Sequence, residues 1–264
     1  GEAETLMHLG ILHRQKGNLD EAMDDLLTSL RRGRYAGPAG REKEKFRFGI
    51  TNKRITAEAF YQLALVYEDY GNYKKAKTTL HKSETTLTDI AVTVGDFWEL
   101  AKINNRSAAF YVRMAQRVLD KELKGKGGED LEKAIEKNAQ SYRLRRKIGD
   151  RIGFAKTREV AGSIYQMQGD WPRAEKSLRK ARDIFSRMGD KAGTSRLTYQ
   201  LGVLAQAQGN SEEALKRFTE SMHSYSAISH KAGYIESLLG RAGIYYASGR
   251  MESARRDFDQ AFAT

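Results

Sequence analysis

The positively charged side chains are the ones whose spacing suggests chemistry. Arg143, Arg145, Arg146, Lys147 and Arg151 form the densest run of positive charge in the chain. Cations at this density attract anions, whether acidic peptide, nucleic-acid phosphate or lipid head group. A solvated helix face is the alternative, because charged side chains on a surface also serve solubility. The run is therefore a candidate binding patch.

The excess positive charge is concentrated in two parts of the chain. Of a net charge of +12, residues 31–54 contribute +7 and residues 97–158 contribute +8, so the remainder is slightly acidic. Nucleic acid is the weaker alternative as a partner. Single-strand binders place stacking aromatic side chains among their cations, and few aromatic residues, such as Tyr142, lie beside these.

The chain shows no arrangement of residues typical of an enzyme or a metal site. It has no cysteine, and its five histidines are isolated. His8 and His13 are five residues apart, so they lie on different sides of a helix and cannot share a metal ion. Gly125–Gly128 is rich in glycine but lacks the spacing of a phosphate-binding loop. We therefore predict a protein that is not an enzyme and that uses no cofactor and no metal.

The elements that position these side chains repeat at a constant step. In the C-terminal part, small residues that mark turns and helix contacts recur every 40 residues. They are Gly169, Gly209 and Gly249, and Ala174, Ala214 and Ala254. Self-similarity at a period of this length is the sequence signature of a solenoid.

Each repeat is predicted to be a helix, a tight glycine turn and a second, antiparallel helix. Leu197, Leu201 and Leu204 recur at helical spacing, and Gly209-Asn210 then breaks the helix. Ser211 is predicted to cap the second helix. We call the two helices of each pair its first and second helix.

These positions resemble the tetratricopeptide repeat. The matching residues are Thr198, Leu201-Gly202, Ala205, Gly209, Ala214, Phe218 and Ser221 in the fifth repeat, and Tyr245, Gly249, Ala254, Phe258 and Ala261 in the sixth. The step of 40 and the Gly-Asp pairs between repeats are similar to the long-repeat variety of kinesin light chains, polarity adaptors and bacterial regulators.

The resemblance implies an all-α fold, a right-handed α-solenoid of about six repeats that forms one superhelix over residues 1–264. The repeats are placed at residues 3–32, 57–94, 97–148, 151–188, 191–228 and 231–264. Three additions interrupt the period. Residues 33–54 are predicted to be a flexible loop, residues 116–128 a prolonged first helix that ends in glycines, and residues 85–93 an added helical turn.

The resemblance also implies that the first helices line a concave groove that binds a partner. Transferring the register gives ten candidate binding residues: Tyr61, Lys102, Asn105, Arg106, Arg113, Glu159, Tyr199, Gln200, Gln206 and Tyr246. Tyrosine suits the gripping of a peptide, and amide side chains suit bonding to its backbone. Alternatively, some of the tyrosines pack into neighbouring helices as core residues.

We accordingly predict a protein-interaction scaffold or adaptor that binds an extended or helical, acidic peptide. A regulatory sensor module of a longer signalling protein is the alternative, and nucleic-acid binding through the basic inserts is a weaker one. Neither end of the chain shows a polar capping helix, which suggests a fragment of a longer protein or self-association through the solenoid ends. No apolar run is long enough to span a bilayer and no signal peptide opens the chain, which favours the cytoplasm.

Overall fold

The computed structural model describes residues 1–33, 42–120 and 127–264. All secondary structure in these residues is helical, which confirms the all-α prediction. The helices are α1 (Glu2–Gln15), α2 (Leu19–Gly33), α3 (Glu42–Asp69), α4 (Tyr73–Val94), α5 (Phe97–Leu119), α6 (Gly127–Ile148), α7 (Arg151–Met167), α8 (Trp171–Arg187), α9 (Lys191–Ala207), α10 (Ser211–Ser226), α11 (Lys231–Ala247) and α12 (Met251–Ala263).

The helices pack in sequence order as pairs, so the fold is an all-α repeat solenoid. Within pairs, α1 packs on α2, α3 on α4, α7 on α8, α9 on α10 and α11 on α12. Between pairs, α2 packs on α3, α6 on α7, α8 on α9 and α10 on α11. The chain divides into two compact units, residues 1–107 and 108–264, and the boundary falls within α5. The single superhelix over the whole chain stays a prediction.

The turns between helices have one recurring chemistry, a glycine followed by a capping residue. Gly149 and Gly189 adopt φ angles of 70° and 73°, the left-handed conformation that ends a helix and favours glycine. The next residue begins the following helix: Asp150 Oδ1 accepts the backbone N–H of Gly153 at 2.8 Å. The same device precedes α10, where Asn210 rather than Ser211 is the cap. The prediction for Ser211 was therefore wrong by one residue.

The turn between α10 and α11 departs from this rule. Ser229 holds a φ of 55° without being glycine. His230 takes the place of the capping aspartate, and its Nδ1 accepts the backbone N–H of Gly233 at 3.0 Å. His230 is thus a structural cap of α11.

Small residues let the paired helices approach closely, as the pattern predicts. A Cβ added to Gly162 would lie 2.6 Å from Leu178 of the second helix, and one added to Gly202 would lie 2.9 Å from Phe218. Phe218 is fully buried. Because the large side chain of one helix fills the space left by glycine on the other, both positions are required for the close packing.

Buried serine hydroxyls join the two helices of a pair in a way that the sequence pattern did not reveal. Ser29, Ser83 and Ser221 each lie in a second helix and donate to a backbone carbonyl 26 residues earlier in the first helix. The Ser221 hydroxyl reaches the carbonyl oxygen of Ser195 at 3.0 Å. The bond satisfies a polar group that would otherwise be buried without a partner.

The structure corrects two of the three predicted additions. Residues 42–54 belong to α3, so the flexible loop is wrong for this part, and residues 34–41 lie outside the described residues. Ile50 and Ile55 pack against buried clusters, and this tertiary contact holds the segment as helix despite Gly49.

The second addition is only partly as predicted: the first helix is prolonged, because α5 has 23 residues where α9 has 17, but the glycines lie elsewhere. Helix α5 ends at Leu119, and Gly127-Gly128 begin α6 rather than end the first helix. Residues 121–126 lie outside the described residues. The added turn at residues 85–93 is confirmed, because α4 has 22 residues where α10 has 16.

Candidate functional site

In the unit formed by residues 1–107, the predicted binding residue Arg106 is engaged by its own neighbours. Its Nη1 lies 2.5 Å from Glu58 Oε2, and its guanidinium lies over the Tyr61 ring at 4.6 Å from the ring centre. Tyr61 is half-buried and packs against a cluster that contains Leu87 and Ile103. Tyr61 therefore serves partly as a core residue.

The ion pair determines the protonation of Glu58. Burial acts to raise the pKa of this carboxyl group, but the charge and hydrogen bond of Arg106, the hydrogen bond of Gln62 and the charge of Lys102 act the other way. The net result is a pKa of Glu58 below its usual value. The carboxylate is thus held ionised beside Arg106.

Two of the remaining candidates in the third repeat, Lys102 and Arg113, are likewise in contact with their own helix. Lys102 Nζ lies 3.6 Å from Glu99 Oε2 and 5.3 Å from the centre of the Trp98 ring. Asn105 is half-buried. Arg113, in the unit formed by residues 108–264, is half-buried and lies over the Phe110 ring.

In that second unit, Glu159, Arg196 and Gln200 form one polar cluster between α7 and α9. Arg196 makes two parallel hydrogen bonds to the Glu159 carboxylate, Nε to Oε1 at 2.8 Å and Nη2 to Oε2 at 3.0 Å. Gln200 Nε2 donates to the same Oε1 at 2.9 Å. Hydrogen bonding to Glu159 raises the pKa of Arg196 against the opposing effect of burial. The cluster is a rigid, charge-balanced element.

The predicted tyrosines differ in their surroundings. Tyr199 is half-buried, its ring lies 5.3 Å from that of Phe218, and burial raises the pKa of its hydroxyl. Tyr246 is 61% exposed, and Gln206 is exposed too. Tyr246 and Gln206 are thus available to a partner, whereas Tyr199 mainly packs inside its repeat.

An exposed apolar surface joins these two residues on neighbouring first helices. Val203 of α9 is 36% exposed, and Leu239 of α11 is 43% exposed. Helices α9 and α11 contact each other, and helical spacing places Leu239 and Tyr246 on the same side of α11. We call the surface formed by Val203, Gln206, Leu239 and Tyr246 the α9–α11 face.

A cavity of about 500 Å³ lies at one end of this face. Arg196, Tyr225, Glu236 and Leu239 contribute to its lining. Burial raises the pKa of Tyr225 to about 12, an effect that Arg196 opposes and Glu236 reinforces. Sequence reasoning missed Tyr225, because it lies on a second helix. It also missed Val203, whose size sets it apart from the small residues at the matching positions, Ser163 and Gly243.

The run of cations from Arg143 to Arg151 is divided by the structure. Arg143, Arg146, Lys147 and Arg151 are exposed, but Arg145 is only 4% exposed and forms an ion pair with Asp150. Arg145 thus belongs to the joint between α6 and α7. The other four are available to solvent.

Two kinds of feature are absent from the described residues. No group of three or more histidine, cysteine or carboxylate side chains there is placed to hold a metal ion. None of the described helices is both long and apolar enough to cross a membrane.

Comparison with protein families identifies the repeat. Tetratricopeptide repeat models match residues 153–227 and 193–264, residues 3–34 and residues 57–84, which together make up more than half of the chain. The chain therefore belongs to the tetratricopeptide repeat family. No curated protein matches it by sequence.

Solved structures share the fold at low sequence identity. BtubC from P. vanneervenii is 17% identical over 93% of this chain and 90% of that chain, with a TM-score of 0.66. The Rap conjugation gene regulator of plasmid pLS20, in complex with the Phr* peptide, is 13% identical over 99% of this chain and 74% of that chain, with a TM-score of 0.66. The STAND protein PH0952 from Pyrococcus horikoshii, which has a tetratricopeptide repeat sensor, is 18% identical over 94% of this chain and 40% of its own, with a TM-score of 0.60.

Proposed function

We propose that this chain is a non-catalytic protein-interaction module and that its α9–α11 face binds an extended peptide. The observation that carries the proposal is the exposure of Val203, Leu239 and Tyr246 on two adjacent first helices. Large apolar side chains that share one exposed surface are typical of interaction sites, because covering them removes apolar area from water at about 25 cal/mol per Å².

The polar groups around the face suit a peptide backbone. Gln206 offers an exposed amide that donates and accepts, and Gln200 lies six residues before it in α9. Apolar anchors with nearby amides are the combination that gives a peptide both affinity and register.

The preference for an acidic ligand stays a prediction. The predicted binding residue Arg106 is engaged by Glu58, and in the other unit Arg196 is engaged by Glu159. At the α9–α11 face, the exposed Glu236 adds a negative charge beside the cavity. We therefore expect this face to select its ligand by apolar side chains first and by charge second.

The structure of another protein with the same fold supports the proposal that the ligand is a peptide. The Rap regulator of plasmid pLS20 is solved with the Phr* peptide, so a repeat array of this kind is compatible with holding a peptide. The alternatives, a sensor module of a longer signalling protein and a nucleic-acid binder, also stay predictions.

The test is a selection of peptides from an unbiased display library against the purified chain, followed by affinity measurement with two variants. Leu239→Glu and Tyr246→Ala are each expected to weaken the selected peptides at least tenfold, because they remove apolar anchors at the centre of the face. Met251→Glu is the matched control, since Met251 is 55% exposed but lies on the second helix α12.

Binding that is unchanged by both variants, or weakened equally by Met251→Glu, would show that the α9–α11 face is not the site. Each variant must keep the helical circular dichroism and unfolding midpoint of the parent. Those measurements separate loss of binding from loss of fold.

A further inference from the structure

A second cavity, of about 620 Å³, lies between α6, α7 and the start of α8. Three arginines on three different helices line it: Arg143, Arg158 and Arg173. Among the described residues its lining contains no carboxylate; the other lining residues are Ile135, Asn138, Ala139, Tyr142, Ala161, Ile164, Tyr165 and Gln168. It shares no residue with the α9–α11 face, so what it binds is a separate question from the proposed function.

Arg158 is the central feature of this cavity. It is half-buried, and its guanidinium lies over the rings of Tyr142 and Phe154 at 5.2 Å from each centre. Its Nε is buried without a hydrogen-bond partner. Across residues 1–33, 42–120 and 127–264, no carboxylate forms an ion pair with it. Stacking on aromatic rings offsets only part of the cost of removing a guanidinium from water, so a bound anion would stabilise it further.

The other two arginines add positive charge at the rim. Arg143 is exposed. Arg173 lies over the Tyr165 ring, and its Nε is 2.5 Å from Asp170 Oδ2, so this pair is close to neutral. With Asp170 counted, the cavity carries a net charge of about two positive units. A dianion would match it.

The equivalent cavity one repeat later provides an internal comparison. It has a volume of about 370 Å³, and Glu175, Arg179 and Glu213 of its lining follow Ile135, Ala139 and Arg173 at a step of 40; Arg217 lines it as well. There each arginine is paired: Arg179 Nη2 lies 2.6 Å from Glu175, and Arg217 Nη2 lies 2.6 Å from Glu213. In this 370 Å³ cavity, the charges of the arginines are therefore balanced by carboxylates of the same lining.

Two of the positions that differ between the repeats explain why the carboxylates of the smaller cavity are missing from the larger one. Ile135 stands where the next repeat has Glu175, and Arg173 stands where it has Glu213. One carboxylate is lost to an apolar residue and another is replaced by a cation. The cavity between α6, α7 and α8 is thus both larger and positively charged.

We propose that this cavity binds a phosphate monoester. A phosphate group presents three oxygens to the planar N–H forks of arginine, and its charge near −2 matches the net charge of the cavity. The hydroxyls of Tyr142 and Tyr165 provide further donors. Ile135, Ala139, Ala161 and Ile164 offer an apolar wall for the organic part of the ester.

The test is isothermal titration calorimetry of the full chain, in a phosphate-free buffer of low ionic strength, with phenyl phosphate as the probe and inorganic phosphate as the minimal one. We expect saturable binding of one phenyl phosphate per chain. Arg158→Gln is expected to weaken it at least tenfold. Ile135→Glu recreates the carboxylate of the next repeat at a 38% exposed position and is expected to abolish binding without affecting the fold.

Arg179→Gln is the matched control, because it removes the same charge from the equivalent cavity. It is expected to leave the affinity unchanged. Equal weakening by Arg158→Gln and Arg179→Gln would reduce the effect to net charge and overturn the proposal, as would the absence of saturable binding at millimolar phenyl phosphate. Benzoate that binds as tightly as phenyl phosphate would also overturn it.

Two further probes distinguish the sources of the phosphate. If a short phosphotyrosine peptide binds more tightly than phenyl phosphate, the ester belongs to a modified protein; if it binds equally or less tightly, the ester belongs to a small molecule. Both results support the site. A single-stranded oligonucleotide that displaces the probe, with an affinity that falls linearly on a log–log salt plot, would overturn it in favour of nucleic-acid binding.

Discussion

Two joints in the second unit share one backbone arrangement but differ in chemistry. At the joint of α6 with α7, Arg145 lies over Gly153; at the joint of α8 with α9, Phe185 lies over Gly193, 40 residues later. A Cβ on either glycine would collide with that side chain, at 2.2 Å from Arg145 and 2.9 Å from Phe185. The same space is filled by a cation in one joint and by an aromatic ring in the other.

The difference shows that, in a regular array, one joint can contribute stability through apolar packing while another carries charged groups suited to ligand recognition. Phe185 is fully buried in a cluster with Leu178 and Leu197, so its joint is stabilised by apolar burial. The α6–α7 joint buries Arg145 against Asp150, and no carboxylate in the part of the chain that the structure describes pairs with Arg158. Charged groups cost desolvation and add little net stability, but they supply the field that attracts a ligand.

The largest expected effect comes from emptying the apolar joint. Phe185→Ala is expected to lower the free energy of unfolding by about 3–5 kcal/mol, because it removes buried area and leaves a cavity. Urea denaturation followed by circular dichroism measures it. Phe262→Ala is the control, since Phe262 is 90% exposed, and is expected to change stability by less than about 0.5 kcal/mol. Similar losses for both variants would contradict the assignment of the core.

A smaller and unequal effect is expected at the two capping aspartates. Asp190→Ala removes one hydrogen bond to the N–H of Gly193 and is expected to cost about 1 kcal/mol. Asp150→Ala removes the same cap and also leaves Arg145 buried without that carboxylate, so it is expected to cost about 3 kcal/mol. The same denaturation measurement compares them. Equal costs would mean that Arg145 finds water or another partner once Asp150 is gone.

The smallest expected effect concerns the third member of the series, Tyr225, which lies over Gly233. Its pKa is raised to about 12, chiefly by burial. An unfolded tyrosine ionises near pH 10, so between about pH 10 and 12 the unfolded state loses a proton that the folded state keeps. The stability from this group is therefore present below pH 10 and declines by an amount of order 1 kcal/mol as the pH rises through that window.

The check is the pH dependence of the unfolding free energy between pH 9 and 12, compared with Tyr225→Phe. The difference between the two chains isolates Tyr225 from the other tyrosines. Parallel curves would show that the Tyr225 hydroxyl titrates in the folded protein as it does in the unfolded one.

The period of 40 residues predicted the helix pairs and the glycine turns, and the resemblance of the repeated residues to a known repeat predicted the family. The exposure of Tyr246 and Gln206 also followed from the transferred register. The loop predicted over residues 42–54 was wrong, because charge and glycine suggested a loop while Ile50 and Ile55 anchor the segment to buried clusters. Local composition does not report such long-range contacts.

The pairing of charges was beyond prediction. Nothing in the sequence indicates which arginines are paired. Arg106 pairs with Glu58 and Arg196 with Glu159, each on another helix, and Arg145 pairs with Asp150 in the following turn. Arg158 differs from all three because no described carboxylate pairs with it. A side chain's direction within a helix follows from its position, whereas its partner depends on which residue the next repeat brings opposite.

The sequence by itself thus determined the repeat, its turns and the face that each helix presents, because these depend on local spacing and on the special conformation of glycine. Only the tertiary structure decided which candidate residues are available to a ligand, because burial and ion pairing depend on neighbours from adjacent repeats. The cations from Arg143 to Arg151 illustrate both: one run in the sequence divides into Arg145, buried in a joint, and Arg143, at the rim of a positively charged cavity.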